Sequence, residues 1–153
     1  VPRSRSANFF SRFGDVPPHA RRVLAGLDVS ALGVGCYRFN EASAQHRASL
    51  LSAVASGCNL FDTAANYMNG GSERLLGRVL AELSADFARG DFVVVTKVGT
   101  LQGSDLEAAR QREARGSVSP RLCKLGDGAW FTLEPNILVQ QACGRGVAHR
   151  HCC

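Results

Sequence analysis

Residues 57–97 read GCNLFDTAANYMNGGSERLLGRVLAELSADFARGDFVVVTK, and this stretch decides the fold. Its first apolar run, Cys58-Asn59-Leu60-Phe61-Asp62, is short and reads as a strand. A Gly-Gly turn follows at 70–71. Ser72 is then a good helix N-cap, and Glu73 in the first turn complements the helix dipole. Leu75, Leu76, Val79, Leu80 and Leu83 recur at helical spacing, which predicts a helix over about 73–85. Phe92-Val93-Val94-Val95 is an unbroken β-branched and aromatic run. Continuous rather than alternating hydrophobicity predicts a strand buried on both faces, as in a parallel sheet.

Working outward, the same alternation continues toward the N-terminus. Residues 43–56 place Leu50, Leu51, Val54 and Ala55 on one stripe, ahead of Gly57 at a C-cap position. His46 falls on the polar face of that helix and is expected to be solvated. Ala31-Leu32-Gly33-Val34-Gly35-Cys36 reads as another short buried strand. The order is therefore strand, helix, strand, helix, strand, which predicts βαβ units and a parallel α/β sheet. Beyond Gly99, residues 104–115 are helix-compatible, 116–134 are loop-like, and 136–142 begin an apolar helical stripe.

Three segments follow from this reading. Residues 1–23 form a basic leader with little pattern, expected to be disordered or mostly loop with room for a short N-terminal element. Residues 24–142 form the patterned domain, and 143–153 (CGRGVAHRHCC) form an unpatterned Cys/His/Arg tail. Arg3, Arg5 and Arg12 stand among three serines with no acid in residues 1–14, a composition like the end of an organellar transit peptide. A cytoplasmic location, or a plastid or mitochondrial one, is expected accordingly.

The chain has 153 residues and a net charge of +5. The excess charge is scattered, so no nucleic-acid partner is expected. No run approaches the roughly 18 apolar residues of a membrane span, so no membrane partner is expected either. The six cysteines lack the spacing of a disulfide framework and fit a reducing compartment. Cys143, His149, His151, Cys152 and Cys153 are metal-ligand types without the separated pairs of a zinc site, so no metal is expected.

Two charges stand out because each ends an apolar strand: Asp62 and Lys97. A charge at the edge of a core is costly unless paired. Strand carboxyl ends are also where parallel α/β proteins build their sites. Tyr67 lies on the loop leaving the Asp62 strand. An ammonium beside a tyrosine favours its phenolate, and such a tyrosine serves as a general acid or base. The structural alternative has Asp62 capping a turn, Lys97 solvated and Tyr67 packing a loop.

These residues carry a resemblance. GCNLFDTAANYMNGGSERLLGRVL, the later DFVVVTKVG and the earlier LDVSALGVGCYRFN resemble the N-terminal part of the aldo-keto reductase family. The likeness covers about residues 24–100, with 101–141 resembling more loosely a long insertion and the start of the next helix, EPNILVQQ. It implies a (β/α)8 barrel that reduces a small carbonyl substrate with NADPH. Asp62, Tyr67 and Lys97 match three catalytic positions of the family, and Asp62 and Thr63 match cofactor contacts. The family's Tyr protonates the carbonyl oxygen as hydride arrives.

The fold expected is a partial (β/α)8 TIM barrel. It has about three βα units and a long insertion after the third strand, since a whole barrel takes at least about 200 residues. The family's His, implied at the end of a Leu-Leu-His-like strand, has no counterpart in this sequence. The ending from residue 143 departs from the family pattern and reads as a shifted frame, a retained intron or an alternative splice end. The chain by itself is therefore expected to lack turnover. The alternative is a non-catalytic remnant or interaction module that folds with a partner. Open sheet edges imply self-association or aggregation.

Overall fold

The computed structural model describes residues 7–14, 16–117, 119–126 and 128–144. The chain divides into two compact units, Val1–Thr96 and Lys97–Cys153.

The first unit is built on a three-stranded parallel sheet, β3 (Val34–Gly35), β4 (Leu60–Asp62) and β5 (Val93–Val95), in that spatial order. Phe61 pairs with Val34 on one side and Val94 on the other. The crossovers are α2 (Ala44–Ala55) and α3 (Gly71–Glu82). Ser43 caps α2 by accepting the His46 N–H at 3.3 Å. Most of the expected apolar stripes face inward: Leu50, Val54, Leu75, Leu76 and Val79 are buried and Leu51, Leu80 and Leu83 half-buried, while Ala55 is exposed.

Several expectations differ from the structure. Ala31, Leu32 and Gly33 do not join the first parallel strand, and Leu32 is exposed. A Cβ on Gly33 would sit 3.1 Å from the Leu60 side chain, so Gly33 allows the close approach of a bend rather than extending a strand. β5 is not buried on both faces. Val93 and Val94 are half-buried and Val95 is exposed, because three short strands with two crossover helices do not enclose a sheet. His46 is not simply solvated: its Nδ1 accepts the Asn40 N–H at 2.9 Å, and its ring stacks on Phe39.

The segment expected as mostly loop, with room for a short element, contributes to the core. A single helical turn, α1 (Ala7–Phe10), buries Phe9 and Phe10. The Phe9 ring lies 4.9 to 5.8 Å from those of Phe10, Phe13, Phe87 and Phe92. Arg12 covers the Phe87 ring and Arg21 the Phe10 ring, at 4.8 and 4.7 Å. These two cations therefore pack on aromatic faces. An antiparallel hairpin follows, β1 (Arg21–Leu24) and β2 (Leu27–Ser30). Its two-residue turn puts Ala25 and Gly26 at φ 50° and 80°, the left-handed pair that matches strand twist. Residues 1–6 of the expected leader lie outside the described residues.

Asn59 stitches this unit together from inside. It is fully buried, and its Oδ1 accepts the Ser30 N–H at 2.8 Å. Its Nδ2 donates to the Asp28 and Asp91 carbonyls at 3.1 and 2.9 Å. One side chain thus joins β2, the start of β4 and the segment leading into β5.

The second unit holds a small antiparallel sheet in the order β6 (Thr100–Leu101), β8 (Trp130–Thr132), β7 (Leu122–Lys124). Two helices accompany it, α4 (Gly103–Ala114) and α5 (Pro135–Gly144). Residues 116–134 are therefore not only loop. Leu101, Ala109 and Trp130 are buried together, so Trp130 packs the core of its own unit. The Thr132 N–H donates to the Gly99 carbonyl at 2.8 Å. The Gly99 N–H in turn donates to Gln141 Oε1 at 2.8 Å. Of the expected tail, residues 145–153 lie outside the described residues. No helix among the described residues is long and apolar enough to cross a membrane.

Candidate functional site

The site grows from the carboxyl end of β4. Phe61 is fully buried, and strand alternation turns its successor Asp62 to the other face, where it is half-buried. Backbone pairing continues past the strands: the Cys36 N–H donates to the Asp62 carbonyl and the Thr63 N–H to the Val95 carbonyl, both at 2.8 Å. The mouth of the sheet is thereby fixed before any side chain is considered.

Thr63, Ala64 and Ala65 run inward and are buried. Thr63, expected among the cofactor contacts, is fully enclosed, with its hydroxyl 3.2 Å from that of Ser72. Tyr67 then emerges half-buried, its N–H donating to the Ala64 carbonyl at 3.0 Å. The Tyr67 ring meets that of Tyr37 edge-on, with centroids 5.0 Å apart. Tyr37 follows the end of β3, so aromatic side chains from two strand ends meet at this mouth.

The loop after Tyr67 is wound in the unusual hand. Met68, Asn69 and Gly70 have φ of 50°, 53° and 80°. That state costs a residue such as Met68 about 1–2 kcal/mol. Gly70 takes the N-cap position of α3, so Ser72 is not the cap the sequence suggested.

Glu41 and two arginines brace the loop. The Glu41 carboxylate accepts from Arg74 Nε and Nη2 at 3.0 and 2.7 Å, and from Arg78 Nη1 at 3.1 Å. Arg74 also donates to the Asn69 carbonyl at 3.3 Å. The Arg74 hydrogen bond holds the Glu41 carboxyl below its ordinary value of 4.5, with help from its charge and from Arg78. A depressed carboxyl stabilises the fold fully above the unfolded value and loses that contribution as pH falls through the folded one. The stability gap between the natural chain and Glu41→Gln should therefore narrow as pH drops below 4.5. Urea midpoints across that range would check it, and a constant gap would count against the clamp. No sequence pattern pointed to Glu41, because its partners lie 33 and 37 residues away.

A hollow of about 550 Å3 opens beside the tyrosines, lined by Tyr37, Arg38, His46, Asn66 and Met68. The Asn40 N–H on Nδ1 of His46 leaves the ring proton on Nε2, so the lining is rich in donors. The structure thus brings Asp62, Thr63 and Tyr67 together on one strand end and its loop. Lys97 is exposed and opens the second unit, two residues after β5. Tyr37 and Arg38 were not singled out in the sequence. Their position just after an apolar strand is the signal that could have found them.

A parallel α/β sheet with a tyrosine and an acid at its carboxyl mouth defines a class of protein with its site at strand ends. The Aldo/keto reductase family model matches residues 31–126, and the chain belongs to that family. A Schizosaccharomyces pombe protein named "Putative voltage-gated potassium channel subunit beta" is 38% identical over 86 residues. That match covers 54% of this chain and 24% of the relative. A solved structure, aldo-keto reductase AKR11C1 from Bacillus halodurans in its holo form, aligns with a TM-score of 0.54 at 23% identity. It covers 79% of this chain and 33% of that one, and at this identity the likeness speaks for the fold. The chain therefore spans about a quarter to a third of the length of these relatives.

Proposed function

We propose that the chain carries the proton-donating end of an NADPH-dependent carbonyl reductase. In this reading its three parallel strands are part of a (β/α)8 barrel. The observation that carries it is the placement of Asp62 and Tyr67 at one sheet mouth, within the span that matches the family. NADPH, when bound, supplies hydride to the carbonyl carbon. The donor set suits such a cofactor: Arg38, Asn66 and the His46 Nε2–H are groups that receive phosphate and carboxamide oxygens. Asp62 and Arg38 are the residues that would hold it. Thr63 backs the strand end from beneath.

The chain's own part is proton management. The Tyr67 phenol gives its proton to the carbonyl oxygen of a small aldehyde or ketone. Lys97 matches the position of the family's lysine, whose ammonium stabilises the phenolate left behind.

A second reading, a non-catalytic module that associates through its open sheet, is favoured by the exposure of Val95 on β5, 41%. Titration of the chain with NADPH, followed by nicotinamide fluorescence, separates the two. Saturable binding is expected of the reductase, and any aldehyde reduction it supports should fall on the order of 100-fold or more in Tyr67→Phe. Absence of binding favours the associating module. Turnover that survives Tyr67→Phe would remove the tyrosine from the mechanism.

A further inference from the structure

We propose that Ser72 is a positioning residue for Tyr67, setting the phenol through a buried chain of hydroxyls; the inference rests on the reading of Tyr67 above. Ser72 is the second residue of α3 and is fully buried. Its Oγ donates to the Cys36 carbonyl at 2.7 Å and lies 3.2 Å from Thr63 Oγ1. A serine hydroxyl has a single proton. Because Cys36 receives that proton, Thr63 must be the donor in its contact with Ser72. The chain therefore has one direction, from the Thr63 hydroxyl through the Ser72 hydroxyl to the Cys36 carbonyl.

Each member adjoins a residue at the mouth. Thr63 directly follows Asp62. Cys36 directly precedes Tyr37, whose ring packs on Tyr67. Tyr67 itself lies on the segment between Thr63 and Ser72, so the hydroxyl contact closes the loop that presents it. This closure adds to the bond from Arg74 to the Asn69 carbonyl. Met68 and Asn69 are held at positive φ, a conformation that persists only when its surroundings over-determine it. Deleting the Ser72 hydroxyl takes a partner from two enclosed groups at once, and the loop is the part with most conformational room to respond.

The test uses the whole chain labelled with 3-fluorotyrosine. Its two tyrosines, Tyr37 and Tyr67, give two fluorine resonances that Tyr37→Phe assigns. Ser72→Ala is expected to shift and broaden, or split, the Tyr67 line. Thr63→Val should displace it in the same way, while Thr63→Ser, which keeps the hydroxyl, should retain the natural line. Leu50→Ala, a core change on α2, controls for destabilisation and should leave the Tyr67 line in place.

An unmoved Tyr67 line in folded Ser72→Ala would overturn the proposal, as would the same displacement in Leu50→Ala. If Ser72→Ala does not fold, the Thr63→Val and Thr63→Ser pair decides by the same readout. None of these outcomes depends on turnover. A Tyr67 line that moves, together with carbonyl reduction that survives Tyr67→Phe, would sink the reductase mechanism and leave the positioning role standing.

Discussion

Asn59→Ala is expected to destabilise the first unit by about 3–5 kcal/mol, a large part of the 5–15 kcal/mol that holds a typical domain. The substitution deletes three side-chain hydrogen bonds in the interior. It takes from the Ser30 N–H its acceptor and from the Asp28 and Asp91 carbonyls a donor. Each buried polar group left unmatched costs about 1–3 kcal/mol, well above the net worth of a single bond. Asn59→Asp separates shape from donor chemistry. It keeps the acceptor for Ser30 but turns an oxygen toward two carbonyls, so it should also be strongly destabilising. Urea unfolding followed by circular dichroism measures both. A loss below about 1 kcal/mol in Asn59→Ala would show that the stitch is dispensable.

Phe9→Ala should cost about 3–5 kcal/mol, the usual range for removing an enclosed phenylalanine ring. Phe9 is fully buried and touches rings from its own turn and from the segment leading into β5. The result separates two views of the N-terminal stretch. A detachable leader predicts no change in melting behaviour. A core element predicts a large fall in the denaturant midpoint, together with stronger binding of an apolar-surface dye. Arg12→Ala should be milder, since an exposed cation over a ring contributes about 0.5–1 kcal/mol.

What could be read from the sequence follows from how each element is specified. α2 and α3 are legible because their inward residues recur at helical spacing over three turns. β4 is legible because Leu60-Phe61 is apolar and bracketed by turn residues. The β1–β2 hairpin is not, since its strands hold two arginines and an aspartate, and its turn is Ala25-Gly26 rather than an asparagine–glycine pair. β7 and β8 are three residues each, too short for periodicity to register.

The mouth was only half legible. Asp62 and Tyr67 stand out as a charge and a phenol beside an apolar run. Ser72 is a position where local rules mislead: a serine at a helix start suggests a cap, yet Gly70 occupies that place and the hydroxyl turns inward. Glu41, Arg74 and Arg78 form a contact between distant segments, and only folding reveals such pairs.

The bond from the Thr132 N–H to the Gly99 carbonyl has an architectural consequence. It closes residues 100–131 into a loop whose two ends touch, with Leu101, Ala109 and Trp130 as the loop's own core. A segment built this way behaves as a cassette. It can be gained, lost or exchanged between the third parallel strand and the helix after it without prying the host backbone apart. Changes of length at its exposed turns should therefore leave the closure between Gly99 and Thr132 in place.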